Sequence, residues 1–166
     1  MGTDKALLEV DGVPLARRVA NALRAAGADP VIAVGGDLDA LGALGLTVVP
    51  DVHPGEGPLG GILSALAATD AEVVVVLACD LPAADADTVR AVALGLGDAD
   101  VAAPWHEGRH ELLHAAYHRR AEPVLRAAFA AGERAPHRAV ADLVVVGVEG
   151  LPASALADAD TPDDLA

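Results

Sequence analysis

The sequence predicts an open, doubly wound α/β domain, and two observations carry that reading. Apolar, β-branched runs alternate along the chain with alanine-rich stretches of helical period. The strongest run, Glu72–Ala78, holds four consecutive valines. A continuous apolar run of this kind suits a parallel strand covered on both faces.

The elements follow in order. Pro14–Ala26 is a helix with Leu15, Val19, Ala22 and Leu23 on one face, ended by Gly27. Val31–Val34 is a short strand before Gly35 and Gly36, and Leu38–Leu44 a short helix stopped by Gly45. Thr47–Val49 is the next strand, followed by a loop over residues 51–60 that is rich in glycine and proline. Gly61–Ala68 is helical and leads into the valine strand. A helix runs from Asp85 to Leu94, strands are expected at Asp100–Ala103 and Leu112–Tyr117, and Arg119–Ala131 is a helix closed by Gly132. Leu143–Val148 is the last strand. Thr161 and Pro162 form an N-cap with proline at the first helical position. No internal repeat is visible.

Composition narrows the function. The 166 residues fit one domain, spanning 1–166. With three aromatics, the core has to be built from Ala, Val and Leu. The net charge of −14 excludes a basic nucleic-acid face and disfavours anionic membranes. No apolar run reaches the length of a membrane span, and Asp4, Lys5 and Glu9 interrupt any leader-like stretch. The lone Cys79 excludes a disulfide scaffold and fits a reducing compartment. A cytoplasmic protein is therefore expected. Ten of the eleven basic residues are arginine, and the single lysine is Lys5.

In open α/β folds, ligands gather at the carboxyl ends of the strands. Asp51 and Asp80 both follow expected strands, so both can reach that crevice. Asp80 follows the most apolar strand, with Pro82 stiffening the turn, and a carboxylate there can hold Mg²⁺ against phosphate oxygens. The competing reading is a turn or capping aspartate. Two further patterns are decoys. Gly55, Gly57 and Gly60 match a dinucleotide fingerprint, but Pro50–Pro54 separate the first glycine from the strand. The glycines fit better as places where backbone approaches a flat ligand. His106-Glu-Gly-Arg-His110 spells a zinc-protease motif, which needs both histidines one helical turn apart. Gly108 and Pro104 argue instead for a polar loop entering a strand.

Several segments in register resemble one family. Met1-Gly-Thr-Asp-Lys-Ala-Leu-Leu8 resembles the second half of a motif reading approximately LAGGxSxRMGxDKxLL. Gly57–Leu66 resembles its GPLxG segment, and Cys79-Asp-Leu-Pro82 its metal-binding turn. His114–Tyr117, Glu133-Arg134 and Asp158–Pro162 are similar to the strand, the GER element and the closing NxNTP segment that follow. The chain thus resembles the molybdenum cofactor guanylyltransferases of the MobA-like nucleotidyltransferases.

The resemblance implies a three-layer, Rossmann-like fold with a mostly parallel sheet and helices on both faces. It implies transfer of GMP from GTP to the phosphate of molybdopterin, with release of pyrophosphate. It also implies Mg²⁺ as cofactor and transient contact with molybdoenzyme maturation proteins. Lys5 is then expected on the triphosphate, Asp51 and Gly57 on the nucleotide, and Asp80 on metal and GTP, with Asp160 a second metal candidate. Lys5 and Asp80 form the catalytic pair. A cytidylyltransferase for the same acceptor is the nearest enzymatic alternative. A nucleotide-binding domain without activity is the other, because the glycine-rich half of the first motif is not in the sequence. Met1 is accordingly expected to be internal to a longer protein, preceded by a strand and phosphate-cradling loop. The C-terminus is expected to be cut at the start of a helix.

Overall fold

The computed structural model describes residues 5–159. Met1–Asp4, Asp160 and the expected N-cap at Thr161 lie outside them. After a 3-10 turn at Lys5–Leu7 come strands β1 (Glu9–Val10) and β2 (Val13–Pro14), helix α1 (Leu15–Ala26), β3 (Ile32–Val34), α2 (Leu38–Ala43) and β4 (Thr47–Val49). Then follow α3 (Pro58–Ala67), β5 (Val73–Leu77), α4 (Ala86–Gly95), β6 (Val101–His106), β7 (Arg109–His110) and β8 (His114–His118). The chain continues with a 3-10 turn at Arg119–Ala121, α5 (Glu122–Ala130), α6 (Pro136–Ala139), β9 (Val145–Val148) and α7 (Ala153–Leu156).

β5 pairs with β8 and β8 with β6, both antiparallel, while β6 pairs with β9 in parallel. β5, β6 and β9 therefore share a direction, and β8 alone in that ladder opposes them. β3 and β4 form a separate parallel pair. The strand period of two sorts the side chains into layers. Val74, Val76, Val101, Ala103, Ala115 and Tyr117 pack toward Leu59, Ile62, Leu63 and Leu66 of α3 and Leu125 of α5. Val75, Ala102 and Ala116 pack against Val92 of α4 and Leu96 just past its end. Helices thus cover both faces of the sheet. The Tyr117 hydroxyl, fully buried, donates to the Leu112 carbonyl at 2.7 Å. A smaller cluster joins Ala16 and Ala20 of α1 to Leu41, Leu46, Ala33 and Val48.

Local chemistry explains most boundaries. Asp85 caps α4, its carboxylate accepting from the Asp87 and Thr88 backbone N–H groups. Helix α3 begins three residues before the expected Gly61. Pro58 at its first turn has the dihedral a helix start requires, and Gly57 supplies a cap at φ +80°. The expected helix from Arg119 starts as a 3-10 turn and becomes α-helical only at Glu122.

Candidate active site

Lys5 and Asp80 meet. Lys5 opens the first described turn, whose Ala6 is buried, and its Nζ lies 3.8 Å from Asp80 Oδ2. Asp80 stands three residues beyond β5, in the turn that Pro82 follows, with 24% of its side chain exposed. Its backbone carbonyl accepts from Ala159 N–H at 2.9 Å, which ties the C-terminal segment across the turn. Below the turn, Leu81 is buried. Charge usage sets Lys5 apart: Arg18, Arg90, Arg109, Arg119, Arg120, Arg126, Arg134 and Arg138 each pair with a carboxylate elsewhere in the fold.

Asp51 follows β4 and is fixed by its neighbours. Its Oδ1 accepts from the Ser64 hydroxyl at 2.6 Å and from His53 N–H at 2.9 Å. Ser64 Oγ in turn accepts from Val52 N–H at 3.1 Å. Ser64 is buried on α3 and is the positioning residue that sequence reasoning missed. Thirteen residues separate it from Asp51, and no local pattern announces a contact that only the fold creates.

The Gly57 loop docks on the segment after α5. A Cβ on Gly57 would lie 3.6 Å from Arg134 Cβ. The Arg134 carbonyl accepts from Leu59 N–H, its Nε donates to Glu56 at 2.6 Å, and its guanidinium lies 4.0 Å over the Phe129 ring. His53 stacks at a tilt on the same ring, centroids 4.5 Å apart. Glu133 braces this corner. Arg138 above all, then the N–H groups of Ala135 and Arg134, hold its carboxyl down to about 2. Ala6, Gly35, Pro58 and Cys79, each beside or touching one of the four candidate residues, line one cavity of about 370 Å³. None of the four candidates lines that cavity itself; Asp51 and Asp80 follow the carboxyl ends of β4 and β5.

His114 opens β8 and is buried. It pairs in register with Leu77 on β5, is 2% exposed, and neither ring nitrogen meets a hydrogen-bond partner among the described residues. Burial lowers its pKa to about 4, partly opposed by Asp85.

Both decoys resolve by geometry. His106 and His110 belong to a hairpin, with Glu107 and Gly108 at positive φ forming its two-residue turn. His110 sits opposite Trp105, 4.7 Å between ring centroids. His106, next along the strand, points to the other face. No group of three or more metal-ligating side chains exists among the described residues. The glycine fingerprint fails as well, because residues 50–57 separate β4 from α3.

The family profile described as the MobA-like NTP transferase domain matches residues 1–146. The chain belongs to this nucleotidyltransferase family. It is 37% identical over 175 aligned positions to the molybdenum cofactor guanylyltransferase of Rhodobacter capsulatus, covering 100% of this chain and 86% of that protein. A probable molybdenum cofactor guanylyltransferase of Pelotomaculum thermopropionicum is 39% identical over 117 residues. That match takes in 70% of this chain but spans only 57% of the relative's length. Among solved structures, the molybdopterin-guanine dinucleotide biosynthesis protein A of Archaeoglobus fulgidus superimposes with a TM-score of 0.76 at 26% identity. The superposition covers 99% of this chain and 88% of that one. The α/β fold with helices on both faces of a mostly parallel sheet is the one this family shares. No helix among the described residues is long and apolar enough to cross a membrane.

Proposed function

We propose that the chain transfers GMP from GTP to the phosphate of molybdopterin, forming the guanine dinucleotide and releasing pyrophosphate. The observation that carries this reading is the meeting of the only lysine with Asp80 just past the end of β5. The similarity to a guanylyltransferase over all of the given chain and 86% of that protein suggests the substrates. An acceptor phosphate oxygen attacks the α-phosphorus, the new P–O bond forms, and the α–β bridge breaks in line. Such a transfer needs alignment and charge neutralisation more than a covalent nucleophile.

Lys5 holds the triphosphate as a point charge. Asp51, fixed through Oδ1 by Ser64 and His53, offers Oδ2 to the nucleoside, and Gly57 lets backbone come close to it. Asp80 would hold Mg²⁺. The donor set fits, since magnesium takes one or two carboxylates, retains waters and shares substrate phosphates, and the Asp80 carboxylate is partly open to solvent. When bound, the cation supplies positive charge to phosphate oxygens. An acidic chain of net charge −14 has little other positive charge to give there. Activity in the cytoplasm, with transient contact to molybdoenzyme maturation proteins, completes the proposal.

Nucleotide selectivity tests it. Thermal shifts with GTP, CTP and ATP, each with and without Mg²⁺, should rank GTP·Mg²⁺ first. Asp80→Asn should cancel the magnesium-dependent part. A larger shift with CTP, or a magnesium effect surviving in Asp80→Asn, would overturn the base choice or the metal assignment respectively.

A further inference from the structure

The Lys5–Asp80 pair is too open to water to hold its own two segments together. The ammonium and carboxylate stand 3.8 Å apart, and the two side chains are 40% and 24% exposed. An ion pair of that kind contributes little. Neither residue lies in an α-helix or a strand that would fix its place. Lys5 opens a 3-10 turn that runs into the β1–β2 hairpin, and Asp80 lies in the turn after β5.

Arg18 of α1 reaches both segments. Its Nε and one Nη donate to the Val10 carbonyl at 3.2 and 2.6 Å, and that Nη also donates to Asp11 Oδ2 at 3.0 Å. The other Nη donates to the Pro82 carbonyl at 3.4 Å, across 64 positions of sequence. Val10 belongs to the hairpin that the Lys5 turn feeds. Leu8 N–H donates back to the Lys5 carbonyl, and Leu15 N–H at the start of α1 donates to the Leu8 carbonyl. Pro82 follows Asp80 in the same turn, whose other tie is the Ala159 N–H on the Asp80 carbonyl.

The platform is firm, because Ala16, Val19 and Ala20 of α1 are buried around Arg18. A planar guanidinium presents its donors in fixed directions, so the grip on Val10 and the reach to Pro82 form one geometry. Asp11 is 88% exposed, so its charge adds little and the two carbonyls carry the link. Arg119 shows the contrasting, purely structural use of an arginine. It gathers the Leu66 and Thr69 carbonyls at the end of α3, whereas Arg18 stands in the first half of its helix and joins two non-helical segments.

We infer that Arg18 is a positioning residue, holding the Lys5 turn and the Asp80 turn at the separation that lets one triphosphate meet both side chains. Its part in the reaction rests on the GMP transfer proposed above; its hold on the two turns is independent of that reading.

The test exploits the single lysine. Carbodiimide activates carboxylates, and an amine in contact displaces the activator to leave a zero-length amide. Peptide mapping by mass spectrometry then reads the Lys5–Asp80 link directly, with no turnover involved. The parent chain should form it, and Arg18→Gln should form at least roughly threefold less. Arg90→Gln, which removes a different arginine bonded to α1, should match the parent. In the transfer assay, Arg18→Gln should raise the Mg²⁺ concentration for half-maximal rate at least roughly fivefold. A mere loss of folded protein would lower the rate without moving that midpoint. If Arg18→Gln unfolds, Arg18→Lys decides, because it keeps stem and charge but a single ammonium cannot span both carbonyls. It should lose the Lys5–Asp80 link to the same degree, and any amide that its own amine forms maps to a different peptide. A folded variant with the parent's yield would overturn the inference, and so would a parent chain that forms no such link. A parent chain that forms the link yet transfers no GMP would sink the functional reading alone, and the yield comparison would still decide the role of Arg18.

Discussion

Acidification from pH 7 to 5 should destabilise this protein through His114, and the size follows from its burial. The imidazole is 2% exposed, with no hydrogen-bond partner for either nitrogen among the described residues, and burial lowers its pKa from 6.5 to about 4. The sign is fixed by proton uptake. Between pH 6.5 and 4 the unfolded chain binds a proton that the folded chain refuses, so stability falls as pH falls. Integrating across that window from pH 7 to pH 5 gives a loss of about 2 kcal/mol. For a domain of this size that lowers the melting temperature by roughly 4–8 °C. Urea unfolding at both pH values, for the parent chain and for His114→Leu, isolates the effect, because the other titrating groups are common to both. The variant should lose about 2 kcal/mol less than the parent on acidification. The same pH dependence in both would refute the reasoning and mean that the unfolded and folded imidazoles titrate alike.

Other expectations rest on single contacts. Ser64→Ala removes the hydroxyl that holds Asp51 and should cost about 1–3 kcal/mol in urea unfolding. It should also raise KM for GTP roughly fivefold, equivalent to about 1 kcal/mol of nucleoside binding, so an unchanged KM would detach Asp51 from the nucleotide. Tyr117→Phe strips a buried donor from the Leu112 carbonyl. It should cost about 1–2 kcal/mol with GTP affinity unchanged, which calorimetry with and without nucleotide checks. Purified protein should carry no stoichiometric zinc by elemental analysis, and His106→Ala should leave nucleotide binding as it was.

Much of the fold was legible because the strongest signals were local. The valine run gave β5, and Gly27 marked the end of α1 through its left-handed backbone at φ +101°. The β1–β2 hairpin also carries a local signal. Asp11-Gly12, both at positive φ, is the dipeptide a two-residue hairpin turn favours. The β6–β7 hairpin was hidden by a stronger literal pattern, the two histidines at helical spacing, although Gly108 at φ +80° marked the turn. At the site, Lys5 stood out by composition and Asp80 by its place after β5. The Asp51–Ser64 bond and the stacking of His53 and Arg134 on Phe129 had no sequence signal. Those contacts join segments that meet only after α3 and α5 pack side by side. The reversal of β8 was likewise illegible, since an apolar run states burial and not direction.

Guanylyl transfer at the Lys5–Asp80 corner makes two products that can be followed together. The most direct measurement incubates the protein with molybdopterin, Mg²⁺ and GTP labelled on the α-phosphate, then follows label into the dinucleotide and release of pyrophosphate. One pyrophosphate should appear for each labelled dinucleotide with GTP, little product should form with CTP, and Asp80→Asn should be at least roughly a hundredfold slower. Label transfer at the parent rate in Asp80→Asn, or transfer from CTP in preference to GTP, would contradict it.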